Sequence, residues 1–228
     1  MINLRGLPYD HEDMENICCD AIERSRGHLE NLNTESFVTD DLLEYIAENS
    51  SNLQCLQLGS CRLLSDEGFS KAVRKLPQLK EVDISFCNLS KYSLEVLGQS
   101  CPLLSSLKFV RTGIEYTEYD GDDEAAVIAK TMSGLRRLIM VKNDLSKIGL
   151  VRILNGCPLL ESVEFEECFG LSDIDLSLWK FVKHMEKVFI YNFTDEVDNY
   201  SDDYDVDDDY YSYDKFLERL YKCKIPRS

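Results

Sequence analysis

Histidine is scarce in this chain: three in 228 residues. His11, His28 and His184 stand far apart, none at metal-ligand spacing from another. No G-x-S-x-G, P-loop or G-x-G-x-x-G sequence occurs, which removes the nucleophile elbow and the common phosphate-binding loops. No apolar run is long enough to cross a bilayer. The opening Met-Ile-Asn-Leu-Arg-Gly has neither the basic nor the apolar region of a secretion signal. The nine cysteines are odd in number and form no C-x-x-C pair, a pattern of free thiols in a reducing compartment, cytoplasm or nucleus. These absences predict a chain that is not an enzyme, with no catalytic residues, cofactor or metal, and no membrane span.

Charge is unevenly spread. The net charge is −17, but residues 195–214 hold ten carboxylates and no Lys or Arg, and the rest of the chain carries only −7. Lys and Arg are nowhere concentrated as a phosphate-binding face requires, so nucleic acid is excluded as a partner. Asp205, Asp207 and Asp209 begin like a calcium loop, but Tyr210 stands where Gly is required and Phe216 where Glu is required. Like charges at this density repel, so residues 193–214 read as an acidic, Tyr-rich disordered segment. Residues 215–228 follow as a short basic amphipathic segment.

What the chain has in abundance is a repeat. The pattern L-x-x-L-x-L, with apolar substitutes, is anchored at Leu29, Leu53, Leu79, Leu104, Leu135, Leu160 and Met185. The steps are 24, 26, 25, 31, 25 and 25 residues, within the range of leucine-rich repeats, whose pattern continues to an Asn or Cys. Cys61, Cys87, Asn143 and Cys168 fill that place, with Thr112 as the exception. Cys is small and tolerates full burial, so the turn cysteines read as structural. Each unit starts with a short strand, as in Leu53, Leu56 and Leu58, whose alternation turns apolar side chains to one side. A helix follows: Ser65 caps it, Phe69, Ala72, Val73 and Leu76 form its stripe, and Pro77 helps end it. Ser90, Ser146 and Ser172 open the corresponding helices, and Thr39-Asp-Asp-Leu an earlier one. Ile2-Asn3-Leu4 resembles one more strand.

The expected fold is therefore α/β, a leucine-rich-repeat solenoid over residues 1–192 with a curved parallel sheet inside, helices outside and a disordered acidic C-terminal tail. The 31-residue step is expected to hold its extra residues in a loop at 112–123. Side chains opposite the buried leucines line the concave face. The candidate partner-binding set there is Gln57, Glu81, Asp83, Lys108, Val110, Arg137, Ile139, Val141, Glu164, Glu166, Phe189 and Tyr191. An apolar centre at Val110, Ile139 and Val141 rimmed by charge has the composition of a protein-binding patch. Charge reversal at Lys108 and Arg137 is expected to weaken binding.

Several phrases go further: Cys18-Cys-Asp-Ala-Ile-Glu-Arg-Ser, Asp40-Asp-Leu-Leu-Glu-Tyr-Ile-Ala, Leu64-Ser-Asp-Glu-Gly-Phe and Ser100-Cys-Pro-Leu-Leu. With them, residues 1–192 resemble the leucine-rich-repeat part of plant F-box/leucine-rich-repeat proteins, where an acidic, Tyr-rich tail also occurs. That resemblance implies a substrate-recognition part of an SCF-type (cullin-RING) ubiquitin ligase receptor, acting in ubiquitin-dependent protein degradation. In such proteins an F-box docks on a Skp-type adaptor and the repeats hold a target protein. Leu7-Pro8 is not followed by the apolar spacing of an F-box, so adaptor docking is expected only if an F-box is supplied upstream. The alternatives are a stand-alone repeat scaffold or decoy that recruits no ligase, and a binder of basic proteins through the acidic tail.

Overall fold

The computed structural model describes residues 1–6, 11–111, 122–168, 171 and 185–191. The strands are β1 (Ile2–Asn3), β2 (Asn31–Glu35), β3 (Cys55–Gly59), β4 (Glu81–Ser85), β5 (Ser106–Val110), β6 (Arg137–Val141), β7 (Ser162–Glu166) and β8 (Lys187–Tyr191). Among the described residues the helices are α1 (His11–Ser25), α2 (Asp40–Asn49), α3 (Asp66–Val73), α4 (Lys91–Ser100), α5 (Asp122–Thr131) and α6 (Lys147–Gly156). All eight strands form one parallel sheet in sequence order, the topology of a leucine-rich-repeat solenoid. The expected first strand at Ile2 is present, paired with β2 through Ile2 to Leu32. The chain divides into Met1–Asn192 and Phe193–Ser228. Of the expected loop at 112–123, Asp122 and Asp123 instead open α5, where acidic side chains favour a helix start, and residues 112–121 lie outside the described residues, as do the helix opened by Ser172, the acidic tail and the basic segment.

Register turns the repeat into a core. Leu32, Leu56, Val82, Leu107, Leu138, Val163 and Val188 are successive partners across the sheet. Thr34, Leu58, Ile84, Phe109, Met140, Phe165 and Ile190 make the second inward row. Helix residues such as Leu43, Phe69, Leu94, Ile128 and Ile153 close against these rows in one continuous cluster. Each fully buried Leu, Ile or Phe contributes about 1.5–3 kcal/mol, so the stack supplies the bulk of the driving force.

The cysteines at the two recurring places are hydrogen-bonded into the scaffold. Cys61 Sγ donates to the Gly59 carbonyl, Cys87 to those of Leu58 and Ser85, and Cys168 to those of Met140 and Glu166. Cys101 donates to the carbonyls of Val73 and Leu76, and Cys157 to that of Ile128, all in the preceding repeat. Burial pushes the Cys101 and Cys168 thiols up to about 12 and Cys157 to about 11. Such thiols are poor nucleophiles. The eight described cysteines are free.

A second bond between repeats runs along the helix starts. Thr39, Ser65, Ser90 and Ser146 cap α2, α3, α4 and α6 as the sequence predicts. The serine caps are held in turn by the first residue of an earlier helix. Asp40 accepts from the Ser65 amide at 2.8 Å and hydroxyl at 2.6 Å; Asp66 does the same for Ser90 at 2.9 and 2.7 Å, and Asp122 for Ser146 at 2.9 and 2.6 Å. The residue three beyond each cap must leave room. A Cβ on Gly68 would lie 2.1 Å from Asp40 Cγ, and one on Gly149 2.1 Å from Asp122 Oδ1. Ser93 takes that place in α4 and donates its own hydroxyl to Asp66 at 2.5 Å.

Two outcomes follow. Gly68→Ala gains up to ~1 kcal/mol in helix propensity, but displaces Asp40 from a charge-assisted pair of hydrogen bonds nominally worth ~1.5–3 kcal/mol each and less where partly exposed. Urea unfolding should therefore show a net loss of roughly 1 kcal/mol for Gly68→Ala, turning neutral or favourable in an Asp40→Ala background. For Asp66, burial pushes the carboxyl up, but the hydrogen bonds from Ser93 and Ser90 outweigh it and hold the pKa below the ordinary value. Its contribution is thus fully present above the unfolded-state pKa and is lost as pH falls through the lowered native value. Asp66→Asn should be less stable than the parent at neutral pH, with the difference shrinking on acidification in melts taken between those two values.

Candidate protein-recognition face

Helices cover one side of the sheet, and the other is formed by the side chains between the buried rows. Register aligns them in three lines. The first runs Cys55, Glu81, Ser106, Arg137, Ser162, Lys187; the second Asn33, Gln57, Asp83, Lys108, Ile139, Glu164, Phe189; the third Glu35, Gly59, Ser85, Val110, Val141, Glu166, Tyr191. All twelve candidate residues therefore belong to strand positions on this side. Tyr191 ends β8, and its side chain lies outside the described residues.

Their surroundings differ. Glu81 and Arg137 are exposed, and Gln57, Asp83, Lys108 and Phe189 are half-buried. Val110 (0%), Val141 (1%) and Ile139 (6%) are shielded from solvent but stand outside the continuous core cluster. Glu164 and Glu166 are buried too. The apolar centre expected from the sequence is thus enclosed here, and the exposed chemistry lies in the first line.

The charges of the second line are already paired. Lys108 Nζ lies 3.2 Å from Asp83 Oδ2, with side-chain exposures of 16% and 14%. Ser85 donates its hydroxyl to the other Asp83 oxygen, and Lys187 pairs with Glu164. Lys142 reaches over the Phe86 ring at 6.0 Å. The Arg137 guanidinium, by contrast, has no hydrogen-bond or ion-pair partner among the described residues; its backbone amide donates to the Ser105 carbonyl. Glu81 stands two strands away along the first line, with Ser106 between, about 10 Å across the sheet. Burial, with Glu81 and Asp83 behind it, raises the Cys55 thiol, making it a weak nucleophile.

Charge is also buried at the edge of the 112–121 stretch. Burial raises the Glu124 carboxyl, and Arg111 at 3.5 Å pulls the other way. Among the described residues no group of three or more His, Cys, Asp or Glu side chains could hold a metal ion, and no helix is long and apolar enough to cross a membrane.

The sequence reading passed over Arg5. Its guanidinium reaches the third line: Nη2 lies 2.8 Å, and Cζ and Nε 3.5 Å, from where a Gly59 Cβ would stand. Nε and Nη2 are shielded from water without an acceptor, as is Asn33 Oδ1 without a donor. The available signal was Gly59 itself, a glycine on a line whose other members carry side chains.

No family model matches the chain. It is 41% identical over 161 residues to F-box/LRR-repeat protein 23 of Arabidopsis thaliana, covering 70% of this chain and 36% of that protein. F-box protein SKIP19 of the same plant is 40% identical over 172 residues, covering 75% and 55%, and F-box protein SKIP1 is 34% identical over 171 residues, covering 67% and 57%. The chain thus spans about a third to somewhat over half the length of these relatives. Among solved structures, the C-terminal domain of Caenorhabditis elegans tropomodulin aligns with a TM-score of 0.48 at 15% identity, over 64% of this chain and 92% of that one. With its eight-stranded repeat sheet and these plant relatives, the chain belongs to the F-box/leucine-rich-repeat family.

Proposed function

We propose that this chain is the substrate-recognition part of an SCF-type ubiquitin ligase receptor, holding a target protein against the helix-free face of its sheet. The observation that carries the reading is the match of its repeat region to several F-box/leucine-rich-repeat proteins. The face supports it chemically. A continuous parallel sheet offers one side chain every two residues along each strand and one strand about every 4.8 Å, a rigid grid matched to an extended or folded protein surface. Delivery to the ligase would come from an F-box docked on a Skp-type adaptor, supplied upstream of these repeats. The set Gln57, Glu81, Asp83, Lys108, Arg137, Glu164, Glu166 and Phe189, with Val110, Ile139 and Val141 behind it, is the proposed contact surface.

Arg137 is the place to test the face, because its charge can be reversed without breaking a pair. Arg137→Glu should leave urea stability within about 0.5 kcal/mol of the parent. Lys108→Glu instead sets two carboxylates side by side in a half-buried site, and should cost roughly 1–3 kcal/mol. In plant cells under proteasome inhibition, the tagged chain should capture proteins that Arg137→Glu does not. Those proteins should live longer when the gene is silenced. Captured proteins with unchanged lifetimes would overturn the degradation role. Lifetimes that instead lengthen on overexpression would identify the scaffold or decoy.

A further inference from the structure

Two opposite charges on the helix-free side of the sheet stand exposed and uncommitted. Glu81 opens β4 and Arg137 opens β6, both in the first line, with Ser106 of β5 between them in register. Both side chains are exposed, and neither makes an ion pair or a side-chain hydrogen bond among the described residues. The charges around them are taken. Lys80, just before Glu81, donates to Gln54 Oε1 at 2.8 Å, and Arg136, just before Arg137, pairs with Glu161. Two residues on along the same strands, Asp83 is held by Lys108 and Ile139 is neutral. Past Arg137 the line continues with Ser162 and then Lys187, which is paired with Glu164.

A partner that covers an exposed charge must bring its opposite or leave it stranded. The complement of this line is therefore an acid over Arg137 and a base over Glu81, two strand spacings or about 10 Å apart. That spacing selects among regular elements. Along an extended segment, side chains on one face follow at about 6.7 Å and then about 13 Å, a mismatch of roughly 3 Å either way. On a helix laid across the strands, residues seven apart share a face and are separated by about 10.5 Å. Ser106, small and half-buried midway, leaves room for the helix residue three or four positions beyond the first charge.

We infer that the line Glu81–Ser106–Arg137 is the receptor for one helix of the target protein, a helix that carries an acid and a base seven residues apart on a single face. The inference rests on the reading of this face as a recognition surface and deepens it by naming the element recognised. A polyanion could meet Arg137 but would be repelled by Glu81, so the two charges together favour a protein surface of mixed sign.

The test uses the full chain labelled with nitrogen-15, following the backbone amide signals of β4, β5 and β6. The probe is a capped, alanine-rich peptide locked as a helix by a lactam bridge, with one Glu and one Lys seven residues apart. Its control has the same composition with the two five apart, which turns them to different faces; circular dichroism establishes equal helicity. The first peptide should shift the signals saturably, and the control should bind about threefold more weakly or worse. Arg137→Gln should weaken the Glu–Lys peptide by a similar factor and leave a peptide with Gln in place of Glu unaffected; Glu81→Gln should do the same with respect to Lys. Thermal melts of both variants establish that they fold. No saturable shift, equal binding of the two spacings, or losses that do not follow the two expected pairs would each overturn the inference. If the spacings bind alike while Arg137→Glu still abolishes target capture, the helix receptor is wrong and the recognition reading stands. Spacing-selective binding alongside target capture that survives Arg137→Glu would leave the helix receptor in place and remove the role of this face in target recognition.

Discussion

A carboxylate at the start of one helix that grips the serine cap of a later one is the constraint on which the repeat geometry depends. Burial of leucine rows drives association but carries no direction, and apolar rows tolerate small slips. The bonds from Asp40 to Ser65, Asp66 to Ser90 and Asp122 to Ser146 carry distance and direction together. Each carboxylate also sits in the first turn of its own helix, where negative charge meets the positive end of the helix dipole. One side chain thus favours its own helix and fixes the start of the next. Gly68 and Gly149 serve the same bond by omission, since any Cβ there would occupy the carboxylate's position.

The departures from this pattern fall at one junction. Lys91 stands at the first position of α4, where Asp40 and Asp66 stand in α2 and α3, and a cation cannot accept from a cap. It pairs with Asp123 in α5 instead. The residue after each of β2, β3, β4, β6 and β7 adopts a left-handed conformation, at Ser36, Ser60, Phe86, Lys142 and Glu167, while Arg111 after β5 does not. Such a conformation costs a non-glycine residue about 1 kcal/mol or more and persists only where neighbours enforce it. At four of these turns the backbone amide of Ser36, Ser60, Phe86 or Lys142 donates to the end of the next strand. Arg111 keeps a similar bond to Val141 at 3.2 Å but turns its side chain to the buried Glu124. The exchanged charge at Lys91 and the altered turn at Arg111 thus both meet the start of α5, through Asp123 and Glu124.

The strand rows, the serine caps and the buried turn cysteines were legible because each is local. An alternation of two, a cap followed by an apolar stripe, and a small residue at a fixed offset need only a short window of sequence. Less legible were contacts some twenty-five residues apart. Asp66 reads as an ordinary first-turn acid until Ser90 and Ser93 are seen around it, and Gly68 as a weak helix residue until Asp40 is placed beside it. Lys108 and Arg137 look alike in the sequence, but Lys108 is committed to Asp83 and Arg137 is not. Val110 and Val141 were assigned to the correct side of the sheet, but alternation gives the direction of a side chain and not its exposure. The packing of Arg5 on Gly59 was illegible because the two residues are fifty-four positions and two strands apart.

These differences bear on how such a face would discriminate among partners. An ion pair that is already dehydrated, as Asp83 with Lys108 is, loses little when a partner covers it, and so distinguishes weakly between one partner and another. An uncommitted charge behaves differently. Covering Arg137 with an apolar surface strands a cation, whereas covering it with a placed carboxylate forms a charge-assisted bond; the contrast between right and wrong partners is largest there. A sheet whose central line is already ion-paired and whose uncommitted Arg137 stands apart can accept many shapes weakly and a matched charge strongly. Specificity would then come less from the area of the face than from the place of Arg137 on β6, held constant by the same register that builds the core.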